Sequence, residues 1–256
     1  MVKNRPQKKS YVLVYIILIL AVILILNLLL AVVPEGDVFV DDETERDTSS
    51  FELLDEKIVV QMSLPAVDEE GNGVSTVLTV EAMPGTGRTL TDIDNLLFWA
   101  DTQHSIRIAK NVAGDFTNVD LDKVDLIYSI EANASVIGGP SAGAALAIAT
   151  ISAVDKRELK KDVMITGSIN HDGTIGPVNG ILEKAKASHE AGANTLLVPL
   201  LHSRDVVYED REHCEEFGMT EVCSTETYPR KVDVSEEAGV EIVEVGSVEE
   251  AMGYFF

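Results

Sequence analysis

Apolar residues fill the chain from Tyr11 to Val33, interrupted only by Asn27. A helix rises about 1.5 Å per residue, so a run of this length spans roughly 34 Å, enough to cross a bilayer core. The run outlasts the apolar stretch of a cleaved signal peptide, and no A-x-A site follows it. The pattern therefore predicts a retained anchor over 11–33. Beyond it the period changes. Alternation over Ile58-Val59-Val60-Gln61-Met62 and again over Val74–Val80, with Gly71-Asn72-Gly73 between, predicts an antiparallel pair. A turn-rich loop over 82–87 follows. From Thr91 the period becomes helical. Thr91 as N-cap, with Ile93, Leu96, Leu97, Ala100, Ile106 and Ala109 as the apolar residues, predicts a helix to about Val112.

The second half alternates between element types. It predicts a strand over Val124–Ile130, a nearly charge-free and hence buried helix over 140–154, and a strand over Val163–Ile169 ahead of an Asp172-Gly173 turn. A helix over 180–191 stops at Gly192, and Thr195–Pro199 reads as a short buried strand. The tail predicts a charged helical stretch near 203–215, a strand over Val240–Val245 and a short helix from Val248. Helices and strands are interspersed, with hairpins early, so the class is α+β, a mixed α/β arrangement.

Charge divides the chain into regions. Lys3, Arg5, Lys8 and Lys9 make 1–10 a basic tail, and Glu35, Asp37, Asp41, Asp42, Glu43, Glu45 and Asp47 make 34–52 an acidic linker. The basic flank stays in the cytoplasm by the positive-inside rule. The domain over 53–256 is then expected outside, on a single-pass protein of the cell membrane. Acidic residues outnumber basic ones 43 to 20 in the 256-residue chain, for a net charge of −23. That balance argues against a nucleic-acid partner and for a strongly solvated surface. Cys214 and Cys223 are expected to pair as a disulfide in an exported domain. His213 stands beside Cys214, but no fourth ligand and no zinc spacing accompany them, so no metal is expected.

Candidate chemistry centres on Gly138-Gly139-Pro140-Ser141-Ala142-Gly143. It sets a hydroxyl at the mouth of a small-residue helix, where unpaired backbone N–H groups can hold an oxyanion. Pro140 suits the first turn, and the paired glycines let backbone approach a ligand. A serine here is equally a plain N-cap. The letters also fit the G-x-S-x-G elbow of α/β-hydrolases, but 133–139 separate the preceding strand from the serine. His171, His189, His202 and His213 stand in no triad context. A lysine serves as base when burial keeps it neutral. Lys184 and Lys186 sit two positions apart on the 180–191 helix and face nearly opposite sides, so one at most looks inward. Spacing alone does not choose between them.

From Ile130 to Pro199 the chain resembles the proteolytic domain of Lon peptidases. The nucleophile motif G-P-S-A-G stands at Gly139–Gly143, a strand motif like M-T-G-E-I at Met164–Ile169, and a G-x-x-x-P-I-G-G-L-K-E-K pattern at Gly173–Lys184. A fainter likeness reaches back to Val77–Ala82 and Gln103–Ala109. The resemblance implies Ser141 as nucleophile, Lys184 rather than Lys186 as base, and Thr166 holding the lysine. It implies an oxyanion site of backbone around Gly139, Pro140 and Ser141. It also implies polypeptide substrates, no cofactor, and a homo-oligomer, hexameric in many members. Gly138 stands where the family usually has Asp, and Ser168 where it has Glu. No G-x-x-x-x-G-K-[ST] occurs in the chain. The resemblance is thus to a membrane-anchored, ATP-independent member, similar to Lon-like serine proteases of archaea. The expected activity is a serine endopeptidase acting on flexible polypeptides. A catalytically silent Lon-like binding module and an α/β-hydrolase-type esterase are the alternatives.

Overall fold

The computed structural model describes residues 15–16, 18–24, 54–92, 100–132, 139–218 and 220–256. They fall into two units, Met1–Ser49 and Ser50–Phe256. In the first unit the described residues are helical, with exposed apolar side chains such as Leu20 and Leu24. No helix among the described residues is long and apolar enough to cross a membrane. Most of the expected anchor, together with the basic tail and the linker over 34–52, lies outside the described residues.

The second unit is an α+β domain, as the alternation of patterns predicts. Strands β1 (Ile58–Val67) and β2 (Gly73–Pro84) form the expected antiparallel pair, with Val60 opposite Val80 and Leu64 opposite Thr76. Leu78, Val80 and Ala82 are fully buried, the period of two that drives the pairing. Strands β3 (Thr89–Thr91) and β4 (Val124–Glu131) complete a sheet of order β1-β2-β4-β3. Thr91 therefore ends a strand, opposite Tyr128, and does not cap a helix. The helix that follows, α1 (Ala100–Phe116), runs one turn beyond the expected end. Residues 93–99, where that helix was expected to start, lie outside the described residues.

Helix α2 (Gly143–Asp155) is buried from Gly143 through Val154, as its lack of charge predicts. The strand expected over 163–169 breaks in two, β5 (Val163–Ile165) and β6 (Ser168–Ile169), around Thr166-Gly167. Strand β7 (Ile175–Gly176) pairs with β6 across the Asp172-Gly173 turn, where the Asp172 carboxylate accepts from the Thr174 N–H at 3.0 Å. Helix α3 (Ile181–Glu190) packs on β1 and β2, and β8 (Thr195–Pro199) lies beside β5.

The largest departure from the sequence reading is the segment after β8. The charged stretch near 203–215 is a strand, β9 (Arg204–Phe217), paired with β10 (Thr220–Asp233) in a two-stranded ribbon. Gly218, at φ 69°, supplies the tight turn, and Cys214 and Cys223 face each other across the ladder in a disulfide. Cross-strand pairing overrode a composition rich in charge, helped by the strand formers Val222, Thr225, Thr227 and Tyr228 in β10. Helix α4 (Val234–Ala238), β11 (Glu241–Val245) and α5 (Val248–Phe255) close the chain, with β11-β8-β5 an all-parallel sheet.

Two cores result. One joins α1 and α2 to the four-stranded sheet, and the other gathers α3, β8, α4 and β11. Strand β5 lies between them by its alternation: Val163 and Ile165 enter the first core and Met164 the second. Thr166 is the next residue along that strand.

Candidate active site

Gly139, at φ 106° and ψ 160°, occupies a region that side-chain-bearing residues avoid. An added Cβ there would meet nothing within 4 Å, so the backbone angle and not space demands glycine. Pro140 to Ala142 then form one 3-10 turn that leads into α2. Ser141 sits half-buried in that turn. It is not a cap: the cap positions are Gly139 and Ala142, and no side chain caps either helix. The simple structural role open to this serine is therefore unused. Of the three residues expected around an oxyanion, Pro140 has no N–H and donates nothing, so it only sets the turn.

The Ser141 segment is tied to the break between β5 and β6. The Gly167 N–H donates to the Ser141 carbonyl at 2.9 Å, and the Ala144 N–H donates back to the Gly167 carbonyl at 3.0 Å. The Thr166 N–H donates to the Leu197 carbonyl at 3.0 Å, holding this stretch to β8. The Thr166 hydroxyl, buried, donates to the Ser141 carbonyl at 3.4 Å. The helix mouth comes this close because Gly143 and Gly167 lack side chains. A Cβ on Gly143 would lie 2.6 Å from Ile169 Cγ2, and one on Gly167 would lie 2.4 Å from Ile175 Cγ2.

Helix α3 resolves the two lysines. Lys184 is 4% exposed and Lys186 is exposed, so the inward residue is Lys184. Its neighbours Ile181, Leu182 and Ala185 belong to the second core. Burial pushes its pKa down from 10.5 to about 8, against a smaller upward pull from Glu183. Among the described residues no hydrogen bond or ion pair reaches its Nζ. Gly180, at φ 69°, starts the helix, and the Lys184 N–H donates to its carbonyl at 3.0 Å.

The remaining expectations divide. Ser168 is half-buried and its hydroxyl donates to the Pro177 carbonyl at 3.5 Å, while Gly138 lies outside the described residues. Cys214 and Cys223 are bonded to each other, so neither sulfur is a thiolate ligand although Glu212 stands close by. Sequence reasoning missed Gly167 as the residue that pins the serine. It also missed Asp125, a buried carboxylate that accepts from the Thr86 and Arg88 N–H groups at 2.8 and 2.9 Å and from the Arg88 guanidinium. A lone acid inside the apolar strand at 124–130 was the available signal for it.

Residues 75–222 match the family model described as the Lon protease (S16) C-terminal proteolytic domain. The chain belongs to this family. Family membership supports a serine-type peptidase. The Lon protease of Dictyoglomus thermophilum is 38% identical over 86 residues, covering 34% of this chain and 11% of that protein. That of Methylocella silvestris is 31% identical over 164 residues, covering 59% and 20%. The Lon protease of Vibrio parahaemolyticus is 30% identical over 191 residues, covering 66% and 24%. The chain thus spans between 11% and 24% of the length of these curated relatives. All three come from bacteria, so an archaeal origin draws no support from them.

Proposed function

We propose that the chain is a serine endopeptidase in which Ser141 attacks the peptide carbonyl and Lys184 is the general base. The observation that carries this reading is the buried amine of Lys184. A lysine whose pKa is pushed to about 8 is about one tenth neutral at pH 7, several hundred-fold more than an ordinary lysine, and in that form can take the serine proton. Attack forms a tetrahedral oxyanion, which backbone N–H groups at Gly139 and Ser141 are positioned in sequence to receive. Its collapse expels the amine with the proton carried by Lys184 and leaves an acyl-enzyme. Water, deprotonated by the same lysine, then releases the acid. Thr166, expected to hold Lys184, donates its hydroxyl to the Ser141 carbonyl at 3.4 Å instead, so its part is to orient the serine turn.

The further setting is proposed on sequence grounds. The run over 11–33 anchors the chain, the basic flank keeps 1–10 in the cytoplasm, and the protease domain works outside on flexible polypeptides without ATP. The test is hydrolysis of unfolded casein by the full-length chain in detergent, without nucleotide, beside Ser141→Ala and Lys184→Ala. Equal turnover in either variant sinks the dyad. Reporter fusions at each end of the chain test the orientation, and a cytoplasmic signal from a C-terminal reporter overturns it.

A further inference from the structure

A positive surface lies at the far end of α2 from Ser141. Thirteen helical residues, about 20 Å, separate it from the serine. Strand β1 is the edge of its sheet, and its residues 58–63 form one wall of a groove of about 660 Å³, a volume ordinary for a ligand site. The other wall is the loop between α2 and β5, which brings Lys156, Arg157, Lys160 and Lys161 against a single acid, Glu158. In a chain with 43 acidic and 20 basic residues, this concentrates the scarcer charge.

Most of that charge is unspent. Lys156 Nζ lies 2.7 Å from the Asp55 carboxylate, but among the described residues no carboxylate pairs with Arg157, Lys160 or Lys161. The loop is nonetheless held in place. The Arg157 N–H donates to the Ser152 carbonyl at 3.0 Å, the Arg157 guanidinium stacks 3.7 Å from the Phe256 ring, and Lys160 Nζ donates to the Tyr254 carbonyl at 3.0 Å. Charges fixed in advance lose less freedom when a ligand arrives. Across the groove, the outer edge of β1 has no partner strand among the described residues, so it presents main-chain N–H and C=O groups for pairing. Val59, half exposed, adds apolar surface to that edge.

An open strand edge selects an extended polypeptide, and the cations opposite it select carboxylates. A nucleic acid needs a long positive track, which a chain of net charge −23 does not offer beyond the groove. We propose that this groove is a second polypeptide site, which takes an acidic, extended segment of the substrate while Ser141 cuts elsewhere in the same molecule. The segment adds to β1 through main-chain hydrogen bonds, and its Asp and Glu side chains meet Arg157, Lys160 and Lys161. This role depends on the peptidase reading above and gives it a substrate class: polypeptides with an acidic segment remote from the cut. Crossing 20 Å takes at least about six extended residues, so the segment and the scissile bond are separated by that much or more. Binding so far from the reacting atoms is equal in ground and transition states, so it lowers KM and leaves kcat alone.

The experiment uses the full-length chain in detergent and two fluorogenic peptides that share one cleavage sequence. One carries a run of Glu beyond that separation, and the other carries Gln in its place. Three exposed ion pairs are expected to raise kcat/KM for the Glu peptide about tenfold, through KM. Lys160→Gln with Lys161→Gln should erase most of the difference without altering the rate on the Gln peptide, which a misfolded variant could not do. Fluorescence anisotropy of the labelled peptides on the Ser141→Ala chain repeats the comparison as binding, so a wrong nucleophile leaves the groove still tested. Tighter binding of the Glu peptide, lost with the two lysines, supports the proposal. Equal KM values or equal binding for the two peptides overturn it. So does a lysine variant that keeps the wild-type preference, or a groove that takes up oligo-dT in place of the Glu peptide.

Discussion

Ser141 and Gly167 share a hydrogen bond between main-chain atoms, with the Gly167 N–H donating to the Ser141 carbonyl at 2.9 Å. The nucleophile's backbone is therefore registered on the β5–β6 break without any contribution from the serine side chain, leaving the hydroxyl uncommitted to capping.

Removing either proposed partner should stop catalysis while sparing the fold. Ser141→Ala and Lys184→Ala are expected to lower kcat by about 10³-fold or more. Lys184→Arg, always charged, should be equally inactive. In the wild type the active form carries a neutral Lys184, so kcat/KM should rise as pH increases through about 8 and then level off. Thr166→Val keeps the shape and loses the hydroxyl, and should lower kcat with little change in KM. A profile flat between pH 6 and 9 would remove Lys184 as the base.

The same lysine costs stability. Its pKa is depressed in the folded state, so at neutral pH the unfolded chain binds the proton more tightly, and folding is disfavoured by about 3 kcal/mol. The cost is full below about pH 8 and disappears as pH rises toward 10.5. Lys184→Met, similar in length and uncharged, should therefore raise Tm at pH 7 by several degrees. Calorimetry of both proteins should show their curves converging across that window, and parallel curves would contradict the assignment.

Gly139 and Gly143 should fail for different reasons. Gly139→Ala has room for its methyl but not for its backbone angle, a strain of about 1–3 kcal/mol that relaxation of the turn can relieve. Activity should drop steeply with a modest loss of Tm. Gly143→Ala drives a methyl into Ile169, including its backbone nitrogen at 2.8 Å, so the helix mouth must lift off β6. Tm and activity should then fall together. Denaturation and steady-state kinetics on the pair separate the two mechanisms.

Asp125 is the acid-sensitive point of the first core. Hydrogen bonds from Arg88 and from the Thr86 and Arg88 N–H groups hold its carboxyl well below the usual 3.8. A depressed carboxylate stabilises the fold above its unfolded pKa, and that contribution fades as pH falls below about 4. Asp125→Asn should lower Tm at pH 7, with the gap to wild type narrowing in acid. Thermal scans at pH 7 and pH 3 check it.

The features that were legible in the sequence share a cause. Helix α2 and strands β1, β2 and β8 bury continuous or alternating apolar residues, and burial dictates their existence, while β1 and β2 run on to Val67 and Pro84, past the alternation that marks them and into the expected loop at 82–87. Helical spacing left Lys184 as one of two lysines, because it separates faces without saying which one meets the core, and only the family resemblance preferred it. The structure decides by placing Ile181, Leu182 and Ala185 on the lysine's side. The ribbon was illegible for the converse reason. Its strands bury almost nothing, so no hydrophobic period marks them, and the expected Cys214–Cys223 bond brings two positions together without saying that paired strands carry them. Thr91 misled because a threonine before a helical stripe also suits the end of a short parallel strand.

Cys214 and Cys223 also keep a record. Closing the bond removes two hydrogens, and the chain carries that loss in its mass wherever it travels afterwards. An intact-mass spectrum of protein drawn directly from its native cells, with thiols blocked at lysis, would read the oxidising or reducing history of the compartment in which the ribbon matured. The maturation site of this domain is in that sense inscribed in its own chemistry, independently of any argument from the apolar run near its start.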